Sequence, residues 1–182
     1  MAAFATPSEL AGFLQQDLDT YSANQALDIA TSKIRDFVGW SITQELGVTV
    51  TLDGCSGESI LWLPSLLVTA VSSVVENGIA LTSSQYDWTT YGALIRRGGT
   101  SWYWKPRSIV AVFDHGYTTT PDTVKGVCLA AAGRQYGNPA GIKSETVGAV
   151  SVTYNTPLYV SGAFLTENEK ADLAAYRRAV VA

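Results

Sequence analysis

Few residues of this chain have the types and spacing that catalysis needs. His115 is the only histidine, and Asp114 precedes it at the end of an apolar run from Ile109 to Phe113. A histidine beside an aspartate can act in acid–base catalysis, but adjacent residues of a strand point to opposite faces of the sheet. We therefore expect His115 to pack at the end of a strand, before a turn at Gly116. A small hydrolase would have to build its site around His115, since no other histidine is available for a triad or for most metal sites, so it is the weakest interpretation.

A second group of residues could bind a ligand or another protein. It combines aromatic and basic side chains, namely Trp102, Tyr103, Trp104, Lys105 and Arg107. In an extended segment Trp102 and Trp104 would share one face, where they could stack on sugars or bases, or fill a subunit contact. Isolated aromatic residues without surrounding charge seldom form a nucleic-acid platform. We therefore favour the sheet core or a subunit contact, and keep a carbohydrate- or ligand-binding module as the alternative function.

The composition is that of one ordinary domain with little affinity for nucleic acid. A chain of 182 residues, 47% of them hydrophobic, can bury about 70% of the surface that its unfolded form exposes. Twelve Lys and Arg against sixteen Asp and Glu give a net charge of −4. Basic side chains supply most of the affinity for phosphates, so we expect no tight binding to DNA. No apolar run approaches the ~18 residues of a membrane span, so no membrane partner is predicted.

Motifs for cofactors and metals are absent from the sequence. It contains no nucleotide-binding loop, zinc-ligand spacing, hydrolase elbow or kinase signature, so no catalytic residue, cofactor or metal is predicted. Cys55 lies in a glycine-rich turn and Cys128 in a predicted helix, a spacing that indicates neither a CxxC site nor a disulfide framework. A reducing, cytoplasmic origin fits best.

Helix start signals predict four helices. Capping boxes open the first, second and last of them, at Thr6-Pro7-Ser8-Glu9, Ser22-Ala23-Asn24-Gln25 and Thr166-Glu167-Asn168-Glu169. The apolar stripe of the first helix continues to Tyr21. Thr120 is the expected cap of a central helix, with Pro121 at its first position. The central helix should face a helical bundle with the stripe Val124, Val127, Cys128 and Ala131.

The stretch between the second and the central helix predicts an antiparallel sheet. Residues 46–52 alternate between apolar and small or polar types, as in a half-buried strand. Asn77-Gly78 between apolar flanks predicts a tight hairpin. Further strands are expected at 59–63, 86–88, 93–97 and 109–113, the last of them covered on both faces.

The predicted fold class is α+β, a helical bundle with an inserted antiparallel β-sheet region. The bundle consists of two N-terminal helices, the central helix and a C-terminal helix. A single domain, 1–182, is expected, with a helical body at 1–45 and 118–182 and a β-rich insert at 46–117.

Residues 138–161 are predicted to form an extended excursion from the helical body. They contain several glycines and one alternating segment, from Val150 to Tyr154. A long connection of this kind is usually functional or disordered, and its extended segment is suited to pairing with another chain's sheet. Val150, Val152 and Tyr154 are therefore candidate interface residues, expected to be poorly ordered in the free subunit.

The last helix is expected to present one more candidate surface. Its apolar stripe would be Leu173, Tyr176 and Val180. Arg177 and Arg178 would lie favourably at its negative end.

The order of these features resembles that of a known family, the head-to-tail connector (adaptor, or head-completion) proteins of long-tailed bacteriophages. The resemblance spans almost the whole chain and consists of the N-terminal helix hairpin followed by Asn77-Gly78-Ile79-Ala80-Leu81, Tyr86-Asp87-Trp88, Gly92-Ala93-Leu94-Ile95-Arg96, Phe113-Asp114-His115-Gly116-Tyr117, Pro121-Asp122, Ser144-Glu145-Thr146-Val147-Gly148, Val150-Ser151-Val152-Thr153-Tyr154 and the closing Leu165-Thr166 to Tyr176-Arg177-Arg178. The large β-rich insert departs from the smaller members, in which the helical bundle dominates.

The resemblance implies a non-enzymatic structural protein of the virion neck, made in the host cytoplasm during assembly. Such a protein forms a homo-oligomeric ring, typically dodecameric, between the portal protein and a tail-side head-closure protein. Its channel allows passive passage of double-stranded DNA, for which an acidic composition is suitable. The candidate residues for the subunit or portal interface are Trp102, Trp104, Val150, Val152, Tyr154, Tyr176, Arg177 and Arg178.

Overall fold

The computed structural model describes residues 3–138, 144–147, 150–153 and 165–178. Four α-helices and several antiparallel sheets confirm the α+β class. The chain divides into two compact units. The described parts of Met1–Gly39 and Thr120–Arg177 form the helical unit, and Trp40–Thr119 together with Arg178 forms the β unit.

The helical unit begins with α1 (Pro7–Leu14), whose predicted capping box is confirmed. Thr6 Oγ1 accepts a hydrogen bond from the backbone N–H of Glu9, and the Glu9 carboxylate accepts one from the N–H of Thr6. The helix ends at Leu14, because Gln15 adopts a left-handed conformation with φ 55°. Tyr21 therefore does not belong to its apolar stripe, contrary to the expectation.

The second helix, α2 (Thr20–Val38), starts earlier than the capping box at Ser22 predicted. Asp19 is the N-cap, and its Oδ2 accepts a 2.8 Å hydrogen bond from the N–H of Ser22. The side chain of Gln25 donates to the hydroxyl of Tyr21 instead of closing a capping box. Asp19 prevails because a carboxylate is as good an N-cap as serine and adds a favourable interaction with the helix dipole.

The central helix, α3 (Asp122–Gly137), packs against α2 and α1. Its predicted stripe is confirmed, since Val124, Val127, Cys128 and Ala131 are all buried. The predicted cap is wrong: Pro121 occupies the N-cap position, no side chain caps the helix, and Thr120 precedes it. A Cβ atom on Gly133 would lie 3.1 Å from the Leu14 side chain, so α1 and α3 approach closely at this glycine.

Two antiparallel sheets make up the β unit. The first has the strand order β1-β7-β3-β4, and the second has the order β2-β6-β5. Their strands are β1 (Glu45–Leu52), β2 (Ile60–Trp62), β3 (Val68–Glu76), β4 (Ile79–Ala80), β5 (Tyr86–Trp88), β6 (Ala93–Arg96) and β7 (Ile109–His115). The core of the unit consists of Leu61, Leu63, Val68, Val74, Tyr86, Leu94, Trp102, Ile109, Ala111 and Phe113.

The central strand β7 is covered fully on one face only, which corrects the expected coverage on both. Ile109, Ala111 and Phe113 are buried, whereas Val110 and Val112 on the other face are partly exposed. Its sequence is uniformly apolar because β7 lies between β1 and β3, where β-branched and aromatic residues suit a strand paired on both edges.

The hairpin predicted at Asn77-Gly78 joins β3 to β4 and is confirmed. Both turn residues have positive φ, 47° for Asn77 and 83° for Gly78. Positive φ at both positions is what a type I′ turn requires, and asparagine and glycine tolerate it best. Glu76 pairs with Ile79 across the turn.

Part of the excursion at 138–161 forms a hairpin of its own. Strand β8 (Ser144–Val147) pairs antiparallel with β9 (Val150–Thr153). Residues 150–153 thus have a partner strand within the chain, and the expectation that they are poorly ordered in the free subunit stays a prediction. Tyr154 lies outside the described residues.

The last helix is shorter than predicted. α4 (Glu167–Asp172) opens with the predicted capping box of Thr166 and Glu169, and a 3₁₀ turn (Ala174–Tyr176) follows it. The chain tightens there because the N–H groups of Tyr176 and Arg177 bond to carbonyls three residues back. Arg177 and Arg178 thus lie beyond the helix, and Val180 is outside the described residues.

None of the helices that the structure describes combines the length and apolar character that crossing a bilayer would require. Within the same described ranges, no cluster of three or more His, Cys, Asp or Glu side chains could hold a metal ion.

Candidate assembly surface

The two tryptophans of the aromatic and basic cluster do not share a face. Trp102 is 1% exposed, and its indole Nε1 donates a 2.9 Å hydrogen bond to the carbonyl of Ser59. The guanidinium of Arg96 lies 6.0 Å from its ring centroid. Trp102 is therefore a core residue of the β unit and is corrected as an interface candidate. Trp104 is 73% exposed.

Residues 103–107, which we call the aromatic–basic loop, are held firmly by their backbone. The N–H of Tyr103 donates to the carboxylate of Glu76, and the hydroxyl of Ser108 donates to the carbonyls of Tyr103 and Lys105. The carbonyl of Lys105 also accepts a bond from the N–H of Gly54. The loop is thus a fixed support from which the Trp104 side chain extends.

Gly54 is required for this loop position. A Cβ atom on Gly54 would lie 1.8 Å from the carbonyl oxygen of Tyr103, a distance that no real contact permits. At the other end of the loop, the N–H of Arg107 donates a 2.7 Å bond to Asp53 Oδ1. Arg107 itself has a left-handed φ of 55°, which the surrounding bonds must stabilise.

A shallow groove of about 450 Å³ lies beside the loop. An ion pair between Arg96 and Glu76 crosses it, with a distance of 3.1 Å and both side chains largely buried. Ile79 and Tyr103 form exposed apolar parts of its lining. The groove thus combines an apolar rim with charges that already neutralise each other.

His115 does not form a catalytic pair with Asp114. The Asp114 carboxylate accepts a 2.7 Å hydrogen bond from the N–H of Gly47, whereas His115 is buried and stacks on Phe113 with ring centroids 5.1 Å apart. Its Nε2 is 3.8 Å from the Glu45 carboxylate, and its Nδ1 has no hydrogen-bond partner among the described residues. Burial lowers the pKa of His115 below its ordinary value.

A second groove, of about 350 Å³, lies in the helical unit between α2 and α3. We call it the helix groove; its lining residues are Ser22, Gln25, Ala26, Ile29, Gln135 and Tyr136. Gln135 Oε1 is buried there without a hydrogen-bond partner among the described residues. The sequence reasoning missed this groove, although Ile29 gave a signal as an apolar residue outside the buried stripe of its helix.

The other candidate interface residues are distributed over separate elements. Tyr176 lies in the 3₁₀ turn, and the guanidinium of Arg177 is 5.3 Å from the Phe37 ring centroid. Val150 and Val152 belong to β9. Their roles at an interface remain predictions.

Neither a known protein family nor a characterised protein matches the sequence. The fold is nevertheless one found in the neck of phage-like particles, and it agrees with the resemblance to a head–tail connector. Three of the matching chains come from gene transfer agent particles. In the neck of the empty particle, computed with C6 symmetry, the TM-score is 0.65 at 13% identity, over 100% of this chain and 95% of that one.

Two related structures give similar values. The neck of the native particle, computed with C12 symmetry, gives a TM-score of 0.61 at 12% identity, with 96% of this chain and 89% of that chain covered. The virion of the native particle gives 0.64 at 13% identity, with coverage of 100% and 95%. At this level of identity the likeness concerns the fold, which extends over nearly the whole length of both chains.

Proposed function

We propose that this protein is a structural subunit of a virion neck, which assembles into a ring between the portal and the tail and takes no part in catalysis. The observation that carries the proposal is the fold match to neck chains over nearly their full length. Necks computed with C6 and C12 symmetry contain repeated copies of their subunits around one axis, which supports a closed ring for this chain as well.

The charge distribution supports passive passage of double-stranded DNA through the ring. Five of the basic residues, Arg96, Arg97, Lys125, Arg134 and Lys170, form ion pairs with carboxylates of their own chain. Paired cations in a chain of net charge −4 hold phosphates weakly. A neutral or acidic lumen would therefore let DNA move without gripping it.

The alternative, a carbohydrate- or ligand-binding module, loses its principal support. That interpretation required Trp102 and Trp104 to lie side by side on one exposed face, whereas Trp102 lies in the core of the β unit. Trp104, the exposed tryptophan of this cluster, fits a protein contact better, because tryptophan is among the commonest residues at interface hot spots.

The decisive experiment mixes the purified protein with the portal protein of the same particle. Analytical ultracentrifugation should show a complex larger than the portal ring alone, and negative-stain images should show an added ring on the portal axis. A labelled copy of the protein should also appear at the neck of the purified virion. If the portal mixture contains only free subunits and unmodified portal rings, the proposal is wrong.

A further inference from the structure

A ring of more than two copies needs two different surfaces on each subunit, since every contact joins one face of a copy to another face of the next. The assignment of these two surfaces rests on the proposed ring. They must be exposed on the single chain and complementary in shape, hydrogen bonding and charge.

The aromatic–basic loop has the properties of the inserting surface. Trp104 is 73% exposed, although the backbone on both sides of it is held by hydrogen bonds to Glu76, Gly54 and Ser108. A large aromatic side chain on a fixed backbone loses little conformational entropy when it binds, which is a property of interface hot spots. The loop therefore presents a preorganised anchor.

The helix groove has the properties of the receiving surface. Its volume of about 350 Å³ suits one large side chain, and Ala26 and Ile29 give it apolar walls. Gln135 Oε1 is a buried acceptor that lacks a donor within the described residues. An unpaired buried acceptor is costly, and an indole N–H is a donor that needs an acceptor when it is buried.

The charged side chains that follow Trp104 are basic, with the exposed Asp53 carboxylate beside Arg107, whereas those at the start of α2 are acidic. Lys105 and Arg107 follow Trp104, both are exposed, and neither has an ion-pair partner among the described residues. Asp17 precedes α2, and Asp28 is adjacent to the groove residue Ile29; both are exposed. Lys33, one turn beyond Ile29, is the exposed basic residue of that helix, so the acidic character is strongest towards the amino-terminal end of α2.

We propose that the aromatic–basic loop of one copy docks in the helix groove of the next copy. Trp104 enters between α2 and α3 and its indole N–H donates a hydrogen bond to Gln135 Oε1. Lys105 and Arg107 of the first copy then face the acidic amino-terminal end of α2 in the second.

The first test compares Trp104→Ala with Tyr91→Ala in ring assembly on the portal. Tyr91 is an equally exposed aromatic residue of the β unit and is the matched control. Trp104→Ala should keep the wild-type melting temperature, because the side chain touches little of its own chain. It should raise the protein concentration for half-maximal ring assembly by more than about tenfold. Tyr91→Ala should assemble as the wild type does.

A charge exchange tests the pairing of the two surfaces. Lys105→Glu with Arg107→Glu should weaken assembly, and so should Asp17→Lys with Asp28→Lys. A protein that carries all four changes again has opposite charges at every contact between its copies, so it should regain most of the lost assembly. Failure of the fourfold variant to improve on either double variant would contradict the proposed charge pairing.

Photo-crosslinking shows directly which protein contacts position 104 in the assembled ring. A benzoylphenylalanine residue introduced at position 104 should form, in the assembled ring, a crosslink to α2 or α3 of another copy. A crosslink to the portal or to a tail-side protein would overturn the proposal, and so would normal assembly of Trp104→Ala. Either outcome would contradict the docking of Trp104 in the helix groove but not the formation of the ring. A wild-type protein that forms no ring on the portal would instead contradict the proposed function itself.

Discussion

Side-chain burial at single positions is set by the backbone contacts that surround them. The indole of Trp102 reaches the carbonyl of Ser59 and fills the core of the β unit, whereas Trp104, two residues later, extends into solvent. Residues 101–104 do not form a strand, so the alternation of a regular strand does not apply to them. The local geometry instead depends on the close approach of the Gly54 backbone to Tyr103.

Ala131, which is 0% exposed on α3, should be a sensitive position of the helical unit. Ala131→Arg would place an unpaired charge among apolar side chains, with a cost of several kcal/mol. Because a whole domain is stable by only about 5–15 kcal/mol, we expect insoluble protein or a strongly lowered melting temperature. The soluble yield on expression and the melting temperature in thermal unfolding measure this loss of stability.

Gly126→Arg is the matched control for that change on the same helix. Gly126 is exposed, and a Cβ atom there would meet nothing within 4 Å. Replacing a helix glycine with arginine should raise helix propensity by a few tenths of a kcal/mol to about 1 kcal/mol. Equal melting temperatures for the two variants would show that Ala131 is not enclosed.

His115 should make the stability of the protein depend on pH near neutrality. Burial lowers the pKa of His115, although the carboxylates of Glu45 and Asp114 act in the opposite direction. The unfolded chain binds the proton more tightly, so the free energy of unfolding should fall as the pH drops below the unfolded pKa of about 6.5. One proton accounts for at most about 1.4 kcal/mol per pH unit.

Urea unfolding between pH 7.5 and 5.5 measures this dependence. The control is His115→Phe, which keeps an aromatic ring against Phe113 and removes the titrating group. The variant should show a flatter profile over this interval. The same slope in both proteins would mean that other groups cause the pH dependence.

At the scale of elements, the end of a helix depends on which of several neighbouring residues caps it, and a strand depends on the strands that pair with it. Asp19 opens α2 although Ser22 carries the better-known capping pattern, and α4 ends in a 3₁₀ turn although its apolar spacing continues. Among the described residues, the sheet of β8 and β9 has two strands. Two-stranded hairpins are marginally stable in water, so this element gains from a further strand.

Residues 150–153 should therefore change their protection from hydrogen exchange on assembly. In the free subunit, pairing with β8 occupies only alternate N–H groups of β9, and the marginal hairpin should exchange quickly. Addition of a strand from a neighbouring subunit would occupy the remaining groups and slow the exchange. The amides of β7, the central strand of its sheet, are the internal reference for strong protection. Equal exchange of β9 in free and assembled protein would show that no strand is added.

At the scale of the whole molecule, the relevant property is how its charges are distributed and paired. Ion pairs within the chain compensate many of its cations, including Arg96 with Glu76 and Arg97 with Asp87. The sequence pair Arg96-Arg97 therefore does not act as a basic patch. A protein that lines a DNA channel benefits from this compensation, because free lysines and arginines add both affinity and salt dependence.

The isolated protein should not retain duplex DNA at physiological salt. An electrophoretic mobility shift assay at about 150 mM salt should show no complex at submicromolar protein. A variant with Glu76→Gln and Asp87→Asn would release the two arginines from their ion pairs and should bind DNA more than the wild type. Submicromolar binding by the wild type that weakens steeply with salt would contradict the passive channel.

The sequence alone determined the features that depend on local chemistry. Positive φ at Asn77-Gly78 fixed a hairpin, reciprocal hydrogen bonds fixed the start of α1, and the small apolar stripe of α3 fixed which face is buried. The α+β class and the connector resemblance followed from the order of such local signals.

Only the tertiary structure decided which residues are available for assembly. It placed Trp102 in the core and Trp104 in solvent, paired β9 with β8, and formed the helix groove from side chains more than a hundred positions apart, such as Ile29 and Gln135. The physical reason is that the exposure of a side chain and the shape of a cavity depend on contacts between residues that are far apart in the sequence. Local propensity and periodicity carry no information about those contacts.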